Sequence, residues 1–486
     1  MSKTLILLIF ALYTLGVFVV AWFTSRKSNN ESYFIGNKSS PWYIVAYGMI
    51  GASLSGVTFM SVPGWVGDTG FSYMMVVFGY LIGYIVIATV LLPLYYRLNL
   101  TSIYTYLEQR FGFFSYKTGS FFFIISRLLG SSFRMFLVVN VLHYFVFSHW
   151  GIPFSVSAII FLVIILLYTF KGGIKTIVWT DTLQTTFMIL AVIISIVFIT
   201  RSLGWGLGEA VAKITDSSYY NMIVTDISSK SHYLKQFLSG VFICIVMTGL
   251  DQDMMQKNLS CKNLKASQTN MITFSVVLIS ITFLFLFLGA LLYIFASEKG
   301  IDISPFVKET TDNLFPGLAL GHLGMAAGLT FIIGLIAAAF SSADGSLTAL
   351  TTSFSIDILN IRGRQLPEDK VKNIRYRVHI GFALLMLLTI ILYKSINNDA
   401  IISKIFTVAG YTYGPLLGLY AFGLFTKLKI RDKLAPVVCV LSPLLSYILS
   451  INSAAWLNGY IFGFEILIVN GLITFVGLLA ISRGKK

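Results

Sequence analysis

Apolar runs of roughly 17–25 residues recur along the whole chain, each long enough to cross a bilayer as a helix. Thirteen spans are predicted, at approximately 4–24, 43–66, 71–96, 118–146, 154–170, 180–202, 233–250, 268–296, 321–357, 376–394, 403–425, 434–451 and 459–482. Two of the polar stretches between them look structured. Leu98 to Phe111 is amphipathic, with Thr101 or Ser102 as a candidate helix N-cap, and is expected to lie along the cytoplasmic interface. Leu203 to His232 is more polar and reads as an external loop or small subdomain. The first run, Thr4 to Thr24, is too long for a signal-peptide core and is read as a retained helix.

Polar residues inside the apolar runs carry the candidate chemistry. In the ninth segment Ala338, Ser341 and Ser342 stand at i, i+3 and i+4 and share one helix face. Hydroxyls and backbone carbonyls there are hard oxygens, suited to an alkali or alkaline-earth cation. The same small residues would also serve close helix packing. Within the second segment the stretch Gly48 to Gly64 has glycines at 48, 51 and 56 with Ser and Thr between, a poor continuous helix. It either breaks at mid-membrane, lining a cavity or an ion, or packs tightly against a neighbour. Asp181, near the start of the sixth segment, is a functional candidate or a helix N-terminal acid favoured by the macrodipole. Arg127 and Arg134 are seven apart on nearly one face of the fourth segment. Either they hold a substrate carboxylate or they form an internal salt bridge, with Asp344 as the available partner. Asp357 closes the ninth segment at its cytoplasmic end, and Glu465 in the last segment has no evident role.

Composition fits an all-α integral membrane protein: 56% hydrophobic, 11% charged, mean hydropathy +0.83 over 486 residues. The formal charge of +15 does not signal nucleic acid, because no basic domain lies outside the spans. Of the 35 Lys and Arg, 24 fall in loops after odd-numbered segments or at the C-terminus and nine on the other side. The positive-inside rule therefore puts the N-terminus outside and Arg483 to Lys486 in the cytoplasm of a multi-pass cell-membrane protein. Cys244, Cys261 and Cys439 match no disulfide or zinc spacing. No nucleophile–base pair, metal cluster or phosphate loop points to an enzyme.

Several pieces together resemble the sodium:solute symporter family. They are Gly172-Gly173 with Val178 to Gln184, Ser341-Ser342 with Ser355 to Asp357, Leu100 to Ser102 with Tyr106 to Glu108 and Arg110-Phe111, and a post-helix loop Gln252 to Lys257. Thr101 to Phe111 looks most similar to the iodide, monocarboxylate and sialic acid carrier branch. The resemblance implies a LeuT-type fold of two inverted five-helix repeats. They would span 43–202 and 233–425, with 1–42 before them, an external loop at 203–232 and two helices in 426–486. It also implies one or two sodium ions. The first would be held by the carbonyls of Gly51, Leu54 and Ala338 and the hydroxyls of Ser341 and Ser342. A second would lie at Asp181 with Ser341, and Asp344 is about 60° from Ser341 and within reach. Ser55 and Thr58 fall where sialic acid carriers contact substrate. Their carboxylate-binding arginine falls at Gly130 counted from the second segment and at Arg134 counted back from Asp181, and Arg134 is preferred.

The expected function is sodium-coupled symport by alternating access of a small organic solute, an anion such as a sialic acid or monocarboxylate, by a monomer in the lipid bilayer. Uptake of a neutral sugar or polyol is the alternative, and a non-transporting membrane sensor a remote one.

Overall fold

The computed structural model describes residues 3–483 apart from 27–28, 146, 309, 362 and 396–400. Residue 1, which bounds the 1–42 stretch, and the tail at 484–486, used above for topology, lie outside the described residues. All thirteen predicted segments fall on helices. Among the described residues nine helices are long and apolar enough to cross a membrane: Thr4–Ser25 (α1), Trp42–Thr69 (α2), Tyr73–Arg97 (α3), Phe113–Tyr144 (α4), Gly172–Leu203 (α6), Leu264–Glu298 (α9), Met325–Ile358 (α10), Glu368–Lys394 (α11) and Asp432–Trp456 (α14). A tenth span is the bent pair Tyr233–Gly249 (α7) and Gln252–Leu259 (α8), which turn 64° from one another. The other predicted segments land on shorter apolar helices, Phe154–Phe170 (α5), Ile401–Thr412 (α12) with Gly414–Phe425 (α13), and Ile466–Ala480 (α15).

The interior is organised around α10. Every residue from Gly334 to Ser353 is buried, so the helix has no lipid-facing side. Small residues on every side suit a core position, since each face of the helix must meet protein. By contrast, α1, α11 and α14 expose one side rich in Leu, Ile and Val, as helices on a lipid-facing rim do.

Three interruptions shape the bundle. In α2, Ser55 takes φ 50° and ψ 174°, far from helical. A non-glycine residue held there costs about 1–3 kcal/mol. Gly173, with φ 53°, separates α5 from α6. A side chain there would be strained and would press into the Tyr33 ring. The third interruption lies between α7 and α8, where the sequence predicted a helix followed by a loop. Gln252 to Leu259 is instead a fully buried helix. Asp251 caps it, accepting from the amides of Asp253 at 3.0 Å and Met254 at 3.3 Å. Lys257, placed by sequence among the loop charges, belongs to this interior helix.

The stretch expected along the interface is also more interior than predicted. Its helix spans Thr105–Arg110, and neither Thr101 nor Ser102 caps it. Ile103, Tyr104 and Leu107 are buried. The segment is tied to the α7–α8 break by Gln252, whose amide nitrogen donates to the Thr101 carbonyl at 2.8 Å and whose oxygen accepts from the Ile103 amide at 3.0 Å. Ser102 joins it to α10 through Asp357, at 2.8 Å. Glu465 precedes α15 and accepts from the Tyr460 hydroxyl and the Gly463 amide, both at 2.9 Å, so it orders the preceding loop.

Candidate ion and solute site

The residues singled out in α2, α6 and α10 converge. The Ser341 hydroxyl donates to Asp181 Oδ1 at 2.8 Å, joining α10 to α6. A Cβ added at Gly51 would lie 3.3 Å from Ser341 Oγ and would collide with Thr185 Oγ1, so only glycine lets α2 approach this closely. Thr185 in turn accepts from the Gly51 amide at 3.0 Å. Ser342 donates to the Ala338 carbonyl at 2.8 Å, which puts those two oxygens side by side.

Whether these oxygens suit an alkali cation turns on the carbonyls beside the Ser55 break. The non-helical residue interrupts the i→i+4 ladder across Ser55, in the turn that carries the Gly51 and Leu54 carbonyls. Among the described residues no donor from outside α2 reaches either carbonyl. The α7–α8 break is the opposite case. Its Gly249 and Leu250 carbonyls accept from the hydroxyls of Tyr95 and Tyr104, each at 2.8 Å. That break is closed by protein. Buried backbone oxygens with two serine hydroxyls beside them fit a hard monovalent cation.

Charge favours the same place. Lys257 Nζ lies 2.7 Å from Asp181 Oδ2 and 3.6 Å from Asp253 Oδ1. Asp253 also bonds Arg127, and Arg127 reaches Asp251 at 3.3 Å. Asp251 further accepts from the Tyr413 hydroxyl at 2.7 Å. Three carboxylates and two cations thus form one buried chain from α4 through α8 to α6. Fully ionised, it holds one negative charge in excess, and its Asp181 end touches Ser341. A cation beside Ser341 would neutralise it.

The two arginines differ in their surroundings. Arg127 forms an internal salt bridge, with Asp251 and Asp253 as partners; the expected partner, Asp344, meets neither arginine. It accepts from the Tyr168 hydroxyl at 2.9 Å and from its neighbour's amide. Arg134 makes no hydrogen bond or ion pair among the described residues. Both arginines, together with Ser55 and Thr58, line a cavity that is partly open to solvent. Gly130 lines only a smaller space next to it. At Asp181 both carboxylate oxygens already have protein partners, so a second cation there would have to share the carboxylate with the Lys257 ammonium.

Sequence reasoning missed Asp251, Asp253 and Lys257 as members of the site. The signal was present: an acid, an acid and a base at spacings of two and four follow an apolar run, and four residues is one helical turn.

Helices broken on either side of a buried ionic centre, in an all-helical multi-pass membrane protein, define a secondary carrier rather than an enzyme. The sodium:solute symporter family description matches residues 33–431, and the chain belongs to that family of transporters. It is 23% identical over 454 residues to the sodium/sialic acid symporter NanT of Aliivibrio fischeri, covering 92% of this chain and 87% of that protein. It is 26% identical over 435 residues to sodium-coupled monocarboxylate transporter 1 of Xenopus laevis, covering 86% and 67%. Among solved structures, a substrate-bound, outward-open sodium-coupled sialic acid symporter matches with a TM-score of 0.82 over 99% of each chain, at 19% identity. A closed nucleobase-cation-symport-1 family transporter matches at 0.58, with 12% identity over 94% of each chain. The fold is therefore LeuT-type.

Proposed function

We propose that the protein carries a small organic anion into the cell by symport with sodium, through alternating access. The observation that carries this reading is a cavity lined both by Arg134 of α4, without a side-chain partner among the described residues, and by Leu54, Ser55 and Thr58 at the α2 break. In this reading Gly51, Leu54, Ala338, Ser341 and Ser342 hold the first sodium. Arg134 holds the substrate anion, Ser55 and Thr58 orient it, and Arg127 acts through its ion pairs. A second sodium would sit at Asp181 with Ser341, in competition with Lys257. The relatives named as sodium-coupled sialic acid and monocarboxylate carriers support an anionic cargo.

The broken helices α2 and α7 open the repeats 43–202 and 233–425 at corresponding positions, as inverted repeats would. The loop charges support an external N-terminus and a cytoplasmic C-terminus, and we take the monomer as the working unit.

Stoichiometry decides what such a carrier can do. A potential of 100 mV supplies about 2.3 kcal/mol per charge, and a tenfold sodium gradient about 1.4 kcal/mol per ion. One sodium with a monoanion is electroneutral and gives roughly tenfold accumulation. Two sodium ions give about 5.1 kcal/mol, or roughly 10³–10⁴-fold. The test is uptake into proteoliposomes from a panel of acidic and neutral solutes, with sodium exchanged for potassium. Sodium-dependent uptake confined to anions is expected. Uptake that persists in potassium, or an unchanged apparent affinity in Arg134→Ala, would refute the reading.

A further inference from the structure

We infer that the groove where α1, α5 and α11 meet binds an anionic phospholipid, its phosphate against Arg375 and one acyl chain lying along α1. The site is separate from the ion centre and the solute cavity, and it stands whatever the transported solute is.

Two cavities join in this groove. A polar one lies between the end of α1 and the start of α11, with Arg26, Asn30, Glu368, Asp369, Lys372 and Arg375 among its lining. An apolar one runs beside it, along Phe18, Ala21, Val163, Leu167, Phe170 and Ile380. Trp22 and Ser25 line both, so the polar chamber opens directly into the apolar slot. From Ser25 back to Phe18 the slot follows α1 for about 10 Å. The hydrocarbon of one leaflet is about 15 Å deep, so the slot holds most of an acyl chain's depth. Tyr168 backs it, meeting Phe18 edge-on with ring centroids 6.2 Å apart. The Tyr168 hydroxyl donates to Asp344 at 2.9 Å, so a chain in the slot lies one ring away from α10.

The sign of the polar chamber comes from cations that lack carboxylates. Arg375 is 4% exposed, and its Nε is buried with no hydrogen-bond partner among the described residues. Its Nη1 donates to Asn30 Oδ1 at 2.9 Å, and its guanidinium lies over the Tyr33 ring, 4.1 Å from the centroid. A guanidinium buried without an anion is costly. Arg26 stacks on Trp22, 3.6 Å from the ring centroid. Neither it nor Lys372 forms an ion pair among the described residues. Glu368 and Asp369 share the chamber but pair with none of the three cations; they are exposed in the first turn of α11, where the helix dipole favours acids. Three cations against two acids leave one positive charge, the match for a phosphodiester, which a guanidinium grips with parallel hydrogen bonds. The loop charges assign this end of α1 and α11 to the cytoplasm, the leaflet where anionic lipids gather, and Trp22 at the junction is a side chain that membrane interfaces favour.

The experiment titrates the purified full-length protein in detergent with dioleoyl phosphatidylglycerol or dioleoyl phosphatidylcholine and counts bound lipid by native mass spectrometry. A basic residue at a membrane surface contributes roughly fivefold in affinity, so one net positive charge predicts phosphatidylglycerol binding at least about fivefold more tightly than phosphatidylcholine. Lys372→Gln and Arg26→Gln should each lower that ratio roughly fivefold, and Glu368→Gln should raise it by as much. Arg375→Gln should remove the preference; should that variant not fold, the other three, all at exposed residues, carry the same information. Val163→Trp, which fills the apolar slot, should weaken both lipids and leave their ratio unchanged. Equal affinity for the two lipids, or a ratio that none of the charge variants moves, overturns the inference. Displacement of phosphatidylglycerol by inorganic phosphate also overturns it, because the ligand is then a soluble anion. So does a lipid-free dimer, which would put a second copy of the chain in the groove.

Discussion

Lys257→Met is the most direct probe of the buried charge chain. Methionine keeps the side chain's length and removes its charge. Asp181 would then keep only Ser341 as a partner, and Asp253 only Arg127, while the chain's negative excess rises from one to two. Breaking a buried pair by removing one partner costs about 3–5 kcal/mol. Asp181→Asn should cost less, about 1–3 kcal/mol, because it leaves the chain neutral and Lys257 still has Asp253 at 3.6 Å. The double variant removes both misfits, so it should be more stable than Lys257→Met alone, with a coupling energy of about 2 kcal/mol or more. The assay is thermal unfolding of the four proteins as choline is replaced stepwise by sodium. A ligand that binds the folded state stabilises it by RT ln(1 + [L]/Kd). Sodium should therefore rescue Lys257→Met more than wild type, its ammonium no longer competing at Asp181. It should help Asp181→Asn least. If the two single effects simply add, or if sodium stabilises all four proteins equally, the ion pair and the sodium site are not linked as described.

Other expectations follow from single contacts. Ser342→Ala removes a hydroxyl from the first site while leaving helix and packing in place, and sodium-dependent uptake should be abolished; unchanged sodium dependence would remove Ser342 from the site. Asp181→Asn should mainly lower the sodium-to-substrate ratio, read from reversal potentials, rather than abolish transport. Gly345→Ala would put a Cβ 2.6 Å from Asp253 Oδ1 and 3.0 Å from Lys257 Nζ, so it should disturb the ion pairs and mimic part of the Lys257→Met sodium response. Asp357 accepts from Ser102, Tyr116 and Ser353 at 2.8, 2.9 and 2.6 Å, holding the 98–104 stretch against α10. Asp357→Ala should loosen that contact and raise thiol labelling of a cysteine introduced at Thr101, with sodium binding retained.

Much of this was legible in the chain because bilayer crossing imposes a strong pattern. Length and apolarity located the long apolar helices, and glycines at 48, 51 and 56 pointed to a break in α2, where Ser55 departs from helix. Ser341 and Asp181 stood out because a hydroxyl or carboxylate in hydrocarbon is costly without a purpose. What stayed hidden depended on partners distant in sequence. Gln252 to Leu259 reads as a loop because its polar residues look solvated, and only the fold reveals that Arg127, Asp181 and Thr101 answer them. The same limit led to Asp344 as an arginine's partner: helical angles rank directions about one axis but cannot say which neighbour stands in each.

The left-handed turn at Ser55 has a consequence for how this site would look to a geneticist. In the proposed sodium site the ligands from Gly51, Leu54 and Ala338 are carbonyl oxygens, which every amino acid carries. Alanine replacement would leave position 338 unchanged and would delete only a packed side chain at 54, with the oxygen still in place. At position 51 it would register as a steric fault against Thr185. A residue-by-residue scan would therefore report two serines and a few apparently structural positions. Most of the ion's coordination shell would be written in chain geometry, where substitution tables do not look.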